Sequence, residues 1–267
     1  MEAEINYTDI NRKMWNLTAE INQKEGFSEL LSAIKNPAFS SFDAVEKELF
    51  ARFPLNGKNV LQIGCNSGQE LCSVKRAGAG RCVGVDISDS FIEQARVLAQ
   101  HAELDIEFIC SNIFDLENQF QRSFDLVYIT VGVLGWMPDL PRLLALIHSW
   151  LKPKGQLFIY EQHPILDMFN PIPPHAMDSS YFRKAPFIDE MLPEYIDTEG
   201  TGSAPSYWFP HTLSDIIGGC LQQGLQLRHF AEYPNEISVT YAALEQHEAR
   251  LPLSYSLIAE RLAAFRT

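Results

Sequence analysis

Short apolar runs alternate with amphipathic stretches through the middle of the chain. The apolar runs are rich in Val, Ile, Phe and Tyr, as expected of strands that are covered on both faces. The predicted strands lie near residues 59–64, 81–86, 105–110, 124–130 and 156–161. Helical periodicity predicts helices near 68–77, 89–101 and 139–151. This alternation predicts an α/β fold with a doubly wound parallel sheet, which binds ligands at the carboxyl ends of its strands.

The two flanks of this block have different patterns. Residues 1–57 are largely helical in spacing, and they are predicted to form an N-terminal helical extension or lid. Residues 58–267 are predicted to form the main domain, in which 163–210 is rich in proline and aromatic residues and has no regular period. A loop of this length is usually a lid, a binding loop or an insertion. A helix near 211–223 and strands near 225–231 and 253–259 follow it.

Composition narrows the classes of function. The 267 residues carry 34 acidic and 21 basic side chains, for a net charge of −13, which disfavours a nucleic-acid partner. The five cysteines are an odd number without a CxxC pair, so no metal site and no disulfide framework is predicted. We find neither a signal peptide nor a long apolar run. A cytoplasmic protein without a membrane partner is therefore expected.

A glycine-punctuated turn follows the first predicted strand. Gly64 lets the backbone turn sharply, and Gly68 permits the close approach of a ligand or of the next helix. Asp86 ends the second predicted strand, 22 residues after Gly64. A carboxylate at this place can accept hydrogen bonds from both hydroxyls of a ribose. The competing interpretation is that Asp86 only caps the next helix.

The chain resembles the class I S-adenosylmethionine-dependent methyltransferases over about residues 56–161. The resemblance rests on five motifs in the family's order: VLQIGCNSG (60–68), VGVDIS (83–88), FICSNI (108–113), FDLVY (124–128) and LKPKG (151–155). It implies a Rossmann-like, mostly parallel seven-stranded sheet with an antiparallel last strand, and S-adenosyl-L-methionine as the cofactor. The residues expected to bind this cofactor are Gln62, Gly64, Cys65, Asn66, Gly68, Asp86, Ile87, Asn112, Ile113 and Thr130.

Two positions depart from the family's glycine motif. Gln62 stands where the family usually has an acid, so it offers an amide oxygen but no negative charge. Asn66 replaces a glycine, and asparagine tolerates left-handed backbone angles better than most residues. A subset of small-molecule methyltransferases is similar in having a polar residue at the first of these positions. That subset also resembles this chain at residues 11–15, 135–140, 161–164 and 233–234.

Candidate catalytic and acceptor residues follow the fourth and fifth predicted strands. His163 is the favoured general base because imidazole titrates near neutrality, but it equally fits a structural role at the start of the insertion. Glu161 is predicted to orient His163 or to hold a substrate amine. The acceptor pocket is expected to include Trp136, Tyr207 and His211. We predict no metal ligands.

The leading functional hypothesis is methyl transfer to a small molecule. An NAD-dependent oxidoreductase is the main alternative, because an acid after a glycine turn also binds ribose in that class. A non-catalytic binding protein of the same fold is a third hypothesis, which the changes at Gln62 and Asn66 leave open. The sequence leaves the acceptor, the methylated atom and the choice between monomer and homodimer undetermined.

Overall fold

The computed structural model describes residues 6–189 and 204–263. The helices are α1 (Tyr7–Glu25), α2 (Phe27–Ala33), α3 (Ala44–Arg52), α4 (Gln69–Arg76), α5 (Asp89–His101), α6 (Leu140–Trp150) and α7 (Leu213–Gln222). The strands are β1 (Val60–Ile63), β2 (Cys82–Asp86), β3 (Glu107–Cys110), β4 (Phe124–Ile129), β5 (Leu151–Gln162), β6 (Phe187–Asp189), β7 (Ser206–Trp208), β8 (Leu225–Tyr233) and β9 (Ser254–Arg261).

Seven strands form one mixed sheet in the order β3-β2-β1-β4-β5-β9-β8. The pairs from β3 through β5 are parallel, and β9 is antiparallel to both β5 and β8. The prediction of a mostly parallel seven-stranded sheet with an antiparallel last strand is confirmed. The chain reverses its direction of winding at β1, so the carboxyl ends of β1, β2 and β4 meet at one edge, where such sheets bind ligands.

Helices cover both faces of the sheet, as a doubly wound fold requires. Alternate residues of β1 divide between two apolar clusters, because successive side chains of a strand point to opposite faces. Leu61 and Ile63 belong to the cluster that includes residues of α6 and α7, whereas Val60 belongs to the cluster that includes residues of α3, α4 and α5. Both clusters are fully buried at the central strands, so the end of β1 is held rigidly.

The N-terminal extension is largely helical, as its periodicity predicts, and its described residues form the three helices α1, α2 and α3. A capping box formed by Asp43 and Glu46 starts α3, and both side chains also bond to the sheet. Tyr128 of β4 donates a hydrogen bond to Glu46, and Tyr160 of β5 donates one to Asp43 at 2.7 Å. Helix α1 packs against α5 and β7. The extension is therefore an integral layer of the domain.

The predicted insertion, residues 163–210, leaves the sheet after β5. It begins with a 3-10 helix (Pro164–Met168) and contains the hairpin β6–β7, in which Phe187 pairs with Trp208. Residues 190–203 of this predicted insertion lie outside the described residues. Among the helices of the described residues, none is long and apolar enough to cross a membrane.

Candidate active site

A cavity of about 1150 Å³ opens at the carboxyl ends of β1, β2, β4 and β5. Its walls come from the glycine turn, from α1, from the segment after β4 and from the described part of the insertion. Most of the residues predicted to bind the cofactor, to take part in catalysis or to contact the acceptor line this cavity. They are Gly64, Asn66, Asp86, Ile87, Asn112, Ile113, Thr130, Trp136, Glu161, His163 and His211. The cavity therefore brings residues of the three predicted groups together.

The glycine turn has the backbone geometry that its sequence predicts. Gly64, Asn66 and Gly68 have positive φ angles of 65°, 48° and 77°, so the left-handed prediction for Asn66 is confirmed. A Cβ on Gly64 would lie 2.6 Å from a methyl carbon of Val133. Gly68 lies against Phe108, and with Cys65 it lies beneath the cavity wall rather than in it. Gly68 and Cys65 therefore support the turn by packing beneath it and do not contact the cavity.

Asp86 is held at the tip of β2 by the turns on either side of it. Its Oδ2 accepts a hydrogen bond from the backbone N–H of Asn66 at 2.9 Å, and its Oδ1 accepts one from Ser88 at 2.9 Å. Burial raises the pKa of Asp86, and these N–H donors oppose the rise. A carboxylate has about four acceptor sites, so two remain for the cavity. This geometry suits a ligand that presents two neighbouring hydroxyls.

Asn112 follows β3 and starts a 3-10 helix (Ile113–Leu116). Its Oδ1 accepts from the backbone N–H of Phe114 at 3.1 Å, and its Nδ2 donates to Thr8 of α1 at 3.3 Å. The side chain therefore ties α1 to this wall of the cavity. One amide hydrogen and one lone pair remain for a ligand. Its predicted role at an adenine stays a prediction.

Three tryptophans form the wall between α1 and the insertion. Trp136 packs edge-on against Trp15 at 5.2 Å and against Trp208 at 5.1 Å between ring centroids. His211 lines the cavity, and its Nε2 lies 2.9 Å from the carbonyl oxygen of Met137. Tyr207 does not line the cavity; its backbone pairs with the side chain of Asn11. Trp136 and His211 thus face the cavity, whereas Tyr207 supports its wall.

Comparison with known proteins gives a consistent result. A family model described as a methyltransferase domain matches residues 61–159. A ubiquinone biosynthesis O-methyltransferase of Coxiella burnetii is 35% identical over 113 residues, which cover 42% of this chain and 47% of that protein. An uncharacterized protein of Haemophilus influenzae is 26% identical over 54% of this chain and 59% of its own length. The chain spans about half the length of the curated relatives it matches.

A solved structure shows the same fold over nearly the whole chain. The geranyl diphosphate C-methyltransferase of Streptomyces coelicolor aligns with a TM-score of 0.62 at 13% identity, covering 97% of this chain and 98% of that one. The family model matches the segment that carries the glycine turn, Asp86 and Asn112. Residues 61–159 are therefore similar to a methyltransferase domain, and the fold of the chain is similar to that of a solved methyltransferase. These matches support the predicted resemblance to class I S-adenosylmethionine-dependent methyltransferases and the predicted cofactor, S-adenosyl-L-methionine.

The lining of the cavity fits that cofactor of the family. Asp86 offers two free acceptor sites to a ribose, as described above. The described lining contains several carboxylates and neither lysine nor arginine, which suits a molecule with positive charge on a sulfonium and an ammonium. The same lining suits the pyrophosphate of a dinucleotide poorly. Asp86, Asn66 and Gly64 are the residues that would hold the nucleoside part.

Gln62 marks this chain's departure from the family pattern. Its side chain is fully buried beneath the cavity, and its Nε2 donates to Thr130 at 3.5 Å. Its Oε1 has no hydrogen-bond partner among the described residues. Glu70 of α4 does line the cavity; burial raises its pKa, while hydrogen bonding from its own backbone and from Gln62 lowers it. The sequence prediction missed this carboxylate, although an acid in the first turn of that helix was a visible signal.

Glu161 holds the segment after β4 in place. Its carboxylate accepts hydrogen bonds from the backbone N–H groups of Gly132, of Leu134 at 3.2 Å and of Gln162 at 2.9 Å. Burial raises the pKa of Glu161 to about 7, and the backbone donors oppose this rise. The contacts found for Glu161 are to backbone groups, and none joins it to His163. It therefore positions Gly132 and Leu134, and its predicted part in catalysis stays a prediction.

His163 uses both ring nitrogens within the protein. Its Nδ1 accepts from the backbone N–H of Ile165 at 3.1 Å, since a backbone N–H can only donate. The ring proton is therefore on Nε2, which lies 2.9 Å from Glu232. Burial lowers the pKa of His163, and Glu232 opposes the change. These contacts favour the structural interpretation of His163, while its role as a base stays a prediction.

The described residues were also searched for groups that could bind a metal ion. They contain no group of three or more His, Cys, Asp or Glu side chains placed to hold a metal ion.

Proposed function

We propose that this chain is an S-adenosylmethionine-dependent methyltransferase that methylates a small-molecule acceptor. One observation carries the proposal: a single cavity joins Asp86 and the glycine turn to the aromatic wall of the insertion. A cofactor and an acceptor could therefore meet in one cavity. Alignment of the two and exclusion of water are what methyl transfer chiefly needs from a protein.

In this proposal, different residues of the cavity wall bind the cofactor, fix the backbone and exclude water. When bound, S-adenosyl-L-methionine supplies a methyl group that its sulfonium already activates. Asp86 accepts the ribose hydroxyls, and Glu161 fixes the lining segment at Gly132 and Leu134. Trp15 and Trp136 close the side toward α1. Their rings exclude water from the region where the methyl group would be transferred.

The size and charge of the cavity favour a small molecule. A cavity of about 1150 Å³ is large enough for a nucleoside cofactor together with a modest acceptor. The net charge of −13 disfavours nucleic acid. The matched relative from Coxiella burnetii is named for ubiquinone biosynthesis, which is consistent with a small acceptor. Binding experiments separate this proposal from the alternative of an oxidoreductase, whereas a non-catalytic binding protein of the same fold is distinguished by its lack of turnover.

Isothermal titration with S-adenosylhomocysteine and with NAD tests the proposal. We expect S-adenosylhomocysteine to bind and NAD not to bind at comparable concentrations. In Asp86→Ala the affinity for S-adenosylhomocysteine is expected to fall by about 1–3 kcal/mol, the usual cost of removing a charged hydrogen-bonding partner. Asp105→Ala, at an exposed carboxylate between α5 and β3 that does not line the cavity, is the matched control. Binding of NAD alone by the wild type would contradict the proposal.

A further inference from the structure

The insertion places one carboxylate in the half of the cavity that the proposed cofactor contacts do not use. We call this half the acceptor-side compartment; it is lined by Trp136, Leu166, Asp167, Phe169, Trp208 and Tyr255. Asp167 lies in the 3-10 helix that opens the insertion. Its Oδ1 accepts a hydrogen bond from the indole Nε1 of Trp208 at 3.0 Å. Its Oδ2 has no partner among the described residues, so that oxygen is available to a ligand.

The position of Asp167 is fixed by close packing around Trp208. A Cβ on Gly135 would lie 2.1 Å from the Trp208 ring, so only glycine allows this approach. The backbone N–H of Phe209 donates to the carbonyl oxygen of Gly135 at 2.6 Å, which holds the same two segments together. The indole N–H therefore points at Asp167 from a rigid wall. The carboxylate is oriented before any ligand arrives.

A second polar group in the compartment lacks a partner. Tyr255 is fully buried on β9, and its hydroxyl has no hydrogen-bond partner among the described residues. Tyr255 also lines the cavity. A buried hydroxyl without a partner costs free energy that a ligand can recover. The compartment thus offers two acceptor oxygens, on Asp167 and Tyr255.

The charges of the lining define what these oxygens can accept. The described lining holds Glu70, Asp86, Glu161, Asp167, Asp178 and Asp189, without a lysine or an arginine. A phosphate or carboxylate on the acceptor would lose water beside these groups without gaining a counter-ion. A cation would gain both the carboxylate and the faces of the tryptophan rings. An ammonium group also has three N–H donors for the two acceptor oxygens.

We propose that the acceptor-side compartment binds its small molecule through a protonated amine held by the free carboxylate oxygen of Asp167. This inference rests on the methyltransferase function proposed above. Tyr255 accepts a second hydrogen bond from the same amine, and Trp136 and Trp208 flank the apolar body of the molecule. Asp167 is in this sense the residue that selects the charge of the acceptor. Acidic acceptors are excluded by the same groups.

Three small probes with a common ring test the charge preference. Ligand-observed NMR would compare 2-phenylethylamine, 2-phenylethanol and phenylacetate on protein loaded with S-adenosylhomocysteine. We expect the wild type to bind the amine at least fivefold more tightly than the alcohol, and phenylacetate not to bind. Asp167→Asn is expected to weaken amine binding at least tenfold with little change for the alcohol. Tyr255→Phe is expected to weaken amine binding severalfold.

The control is Asp105→Asn, which removes an exposed carboxylate outside the lining of the cavity and should leave amine binding unchanged. Affinity for S-adenosylhomocysteine reports whether each variant is folded. Equal binding of the three probes to the wild type, or no binding, overturns the inference, as does an amine preference that survives in Asp167→Asn. A wild type that does not bind S-adenosylhomocysteine contradicts the proposed function instead, so the two failures are distinguishable.

Discussion

At the scale of single residues, the site depends on which lone pairs and protons the protein itself already uses. Asp86 keeps two acceptor sites after binding Asn66 and Ser88, whereas Glu161 is occupied by backbone N–H groups. His163 likewise has its accepting nitrogen bonded to Ile165. Asp167 keeps one whole oxygen free. Residue type alone would suggest that all four side chains can bind a ligand. Their hydrogen bonds show that Asp86 and Asp167 keep free acceptor oxygens, whereas Glu161 and His163 are used within the protein.

A substitution that keeps the hydrogen bond from the backbone N–H of Ile165 can test whether His163 has a capping role. In His163→Ala the N–H of Ile165 loses its acceptor, and we expect a loss of about 1–2 kcal/mol in the free energy of unfolding, as for other lost caps. His163→Asn supplies a side-chain oxygen at the same place and should recover much of this loss. Urea unfolding of the two variants measures the difference. Equal stability of both variants would contradict a capping role.

At the scale of elements, the alternation of apolar runs predicted the parallel part of the sheet, whereas the antiparallel last strand was implied by the family resemblance. The predicted strands near 59–64, 81–86 and 124–130 agree with β1, β2 and β4 to within one residue at each end. The agreement is close because these strands are buried on both faces and therefore form clear apolar runs. β5 starts at Leu151, earlier than predicted, since Leu151 pairs with Phe124 across an irregularity in register. Such a pairing leaves no periodic signal in the sequence.

The site was predictable only where topology places residues. Asp86 and the glycine turn follow strand ends, so their meeting at one edge follows from the sheet. Asp167 accepts a hydrogen bond from Trp208, which lies 41 residues later in the sequence. This contact depends on the packing of Trp208 in β7 against Gly135. Proline-rich segments of this kind have no period to read. An acid within the apolar run Ile165–Phe169 was the one available signal.

The junction between the segment after β4 and β7 should be intolerant of a single methyl group. Gly135→Ala forces Cβ into the Trp208 ring, and overpacking of this kind costs about 1–3 kcal/mol of unfolding free energy. Gly218→Ala in α7 is the control, because nothing lies within 4 Å of its Cβ and alanine favours a helix by about 0.5–1 kcal/mol. Urea unfolding should show opposite signs for the two variants.

The stability that the contact between Glu46 of α3 and Tyr128 of β4 contributes is expected to depend on pH. Burial raises the pKa of Glu46 to about 7 from an ordinary value near 4.5, although Tyr128 and Asp43 donate to the carboxyl. The folded state therefore holds this proton more tightly than the unfolded state. Its contribution to stability is full at low pH and is lost as the pH rises from about 4.5 to about 7.

Glu46→Gln removes this titration. Relative to the wild type, the variant should gain about 2 kcal/mol of unfolding free energy between pH 5 and pH 8, an order-of-magnitude figure from the raised pKa. Glu161 and Asp167, whose pKa values burial also raises to about 7, titrate in both proteins and cancel in the comparison. Glu48→Gln, on the exposed face of α3, should show no such gain. The same stability difference at both pH values would contradict the assignment.

At the scale of the whole molecule, the cavity is enclosed by parts that are distant in sequence. Helix α1 bonds to α5 through the Asn16 contact with Ser88 at 2.7 Å, and to β7 through Asn11. The sheet supplies the floor, and the insertion supplies the far wall. A ligand that fills the cavity would contact all of these parts together. Binding should therefore stabilise the whole domain against unfolding.

This coupling gives a prediction that needs no knowledge of the acceptor. S-adenosylhomocysteine at 100 times its dissociation constant should add about 2.7 kcal/mol to the free energy of unfolding, because it binds the folded state alone. For a chain of this size we expect a rise of roughly 5–10 °C in the melting temperature by scanning calorimetry. NAD at the same concentration should leave the melting temperature unchanged. Double-stranded DNA should also have no effect at physiological salt, since the chain carries a net charge of −13. A rise with NAD or DNA and none with S-adenosylhomocysteine would mean that the cavity serves another ligand.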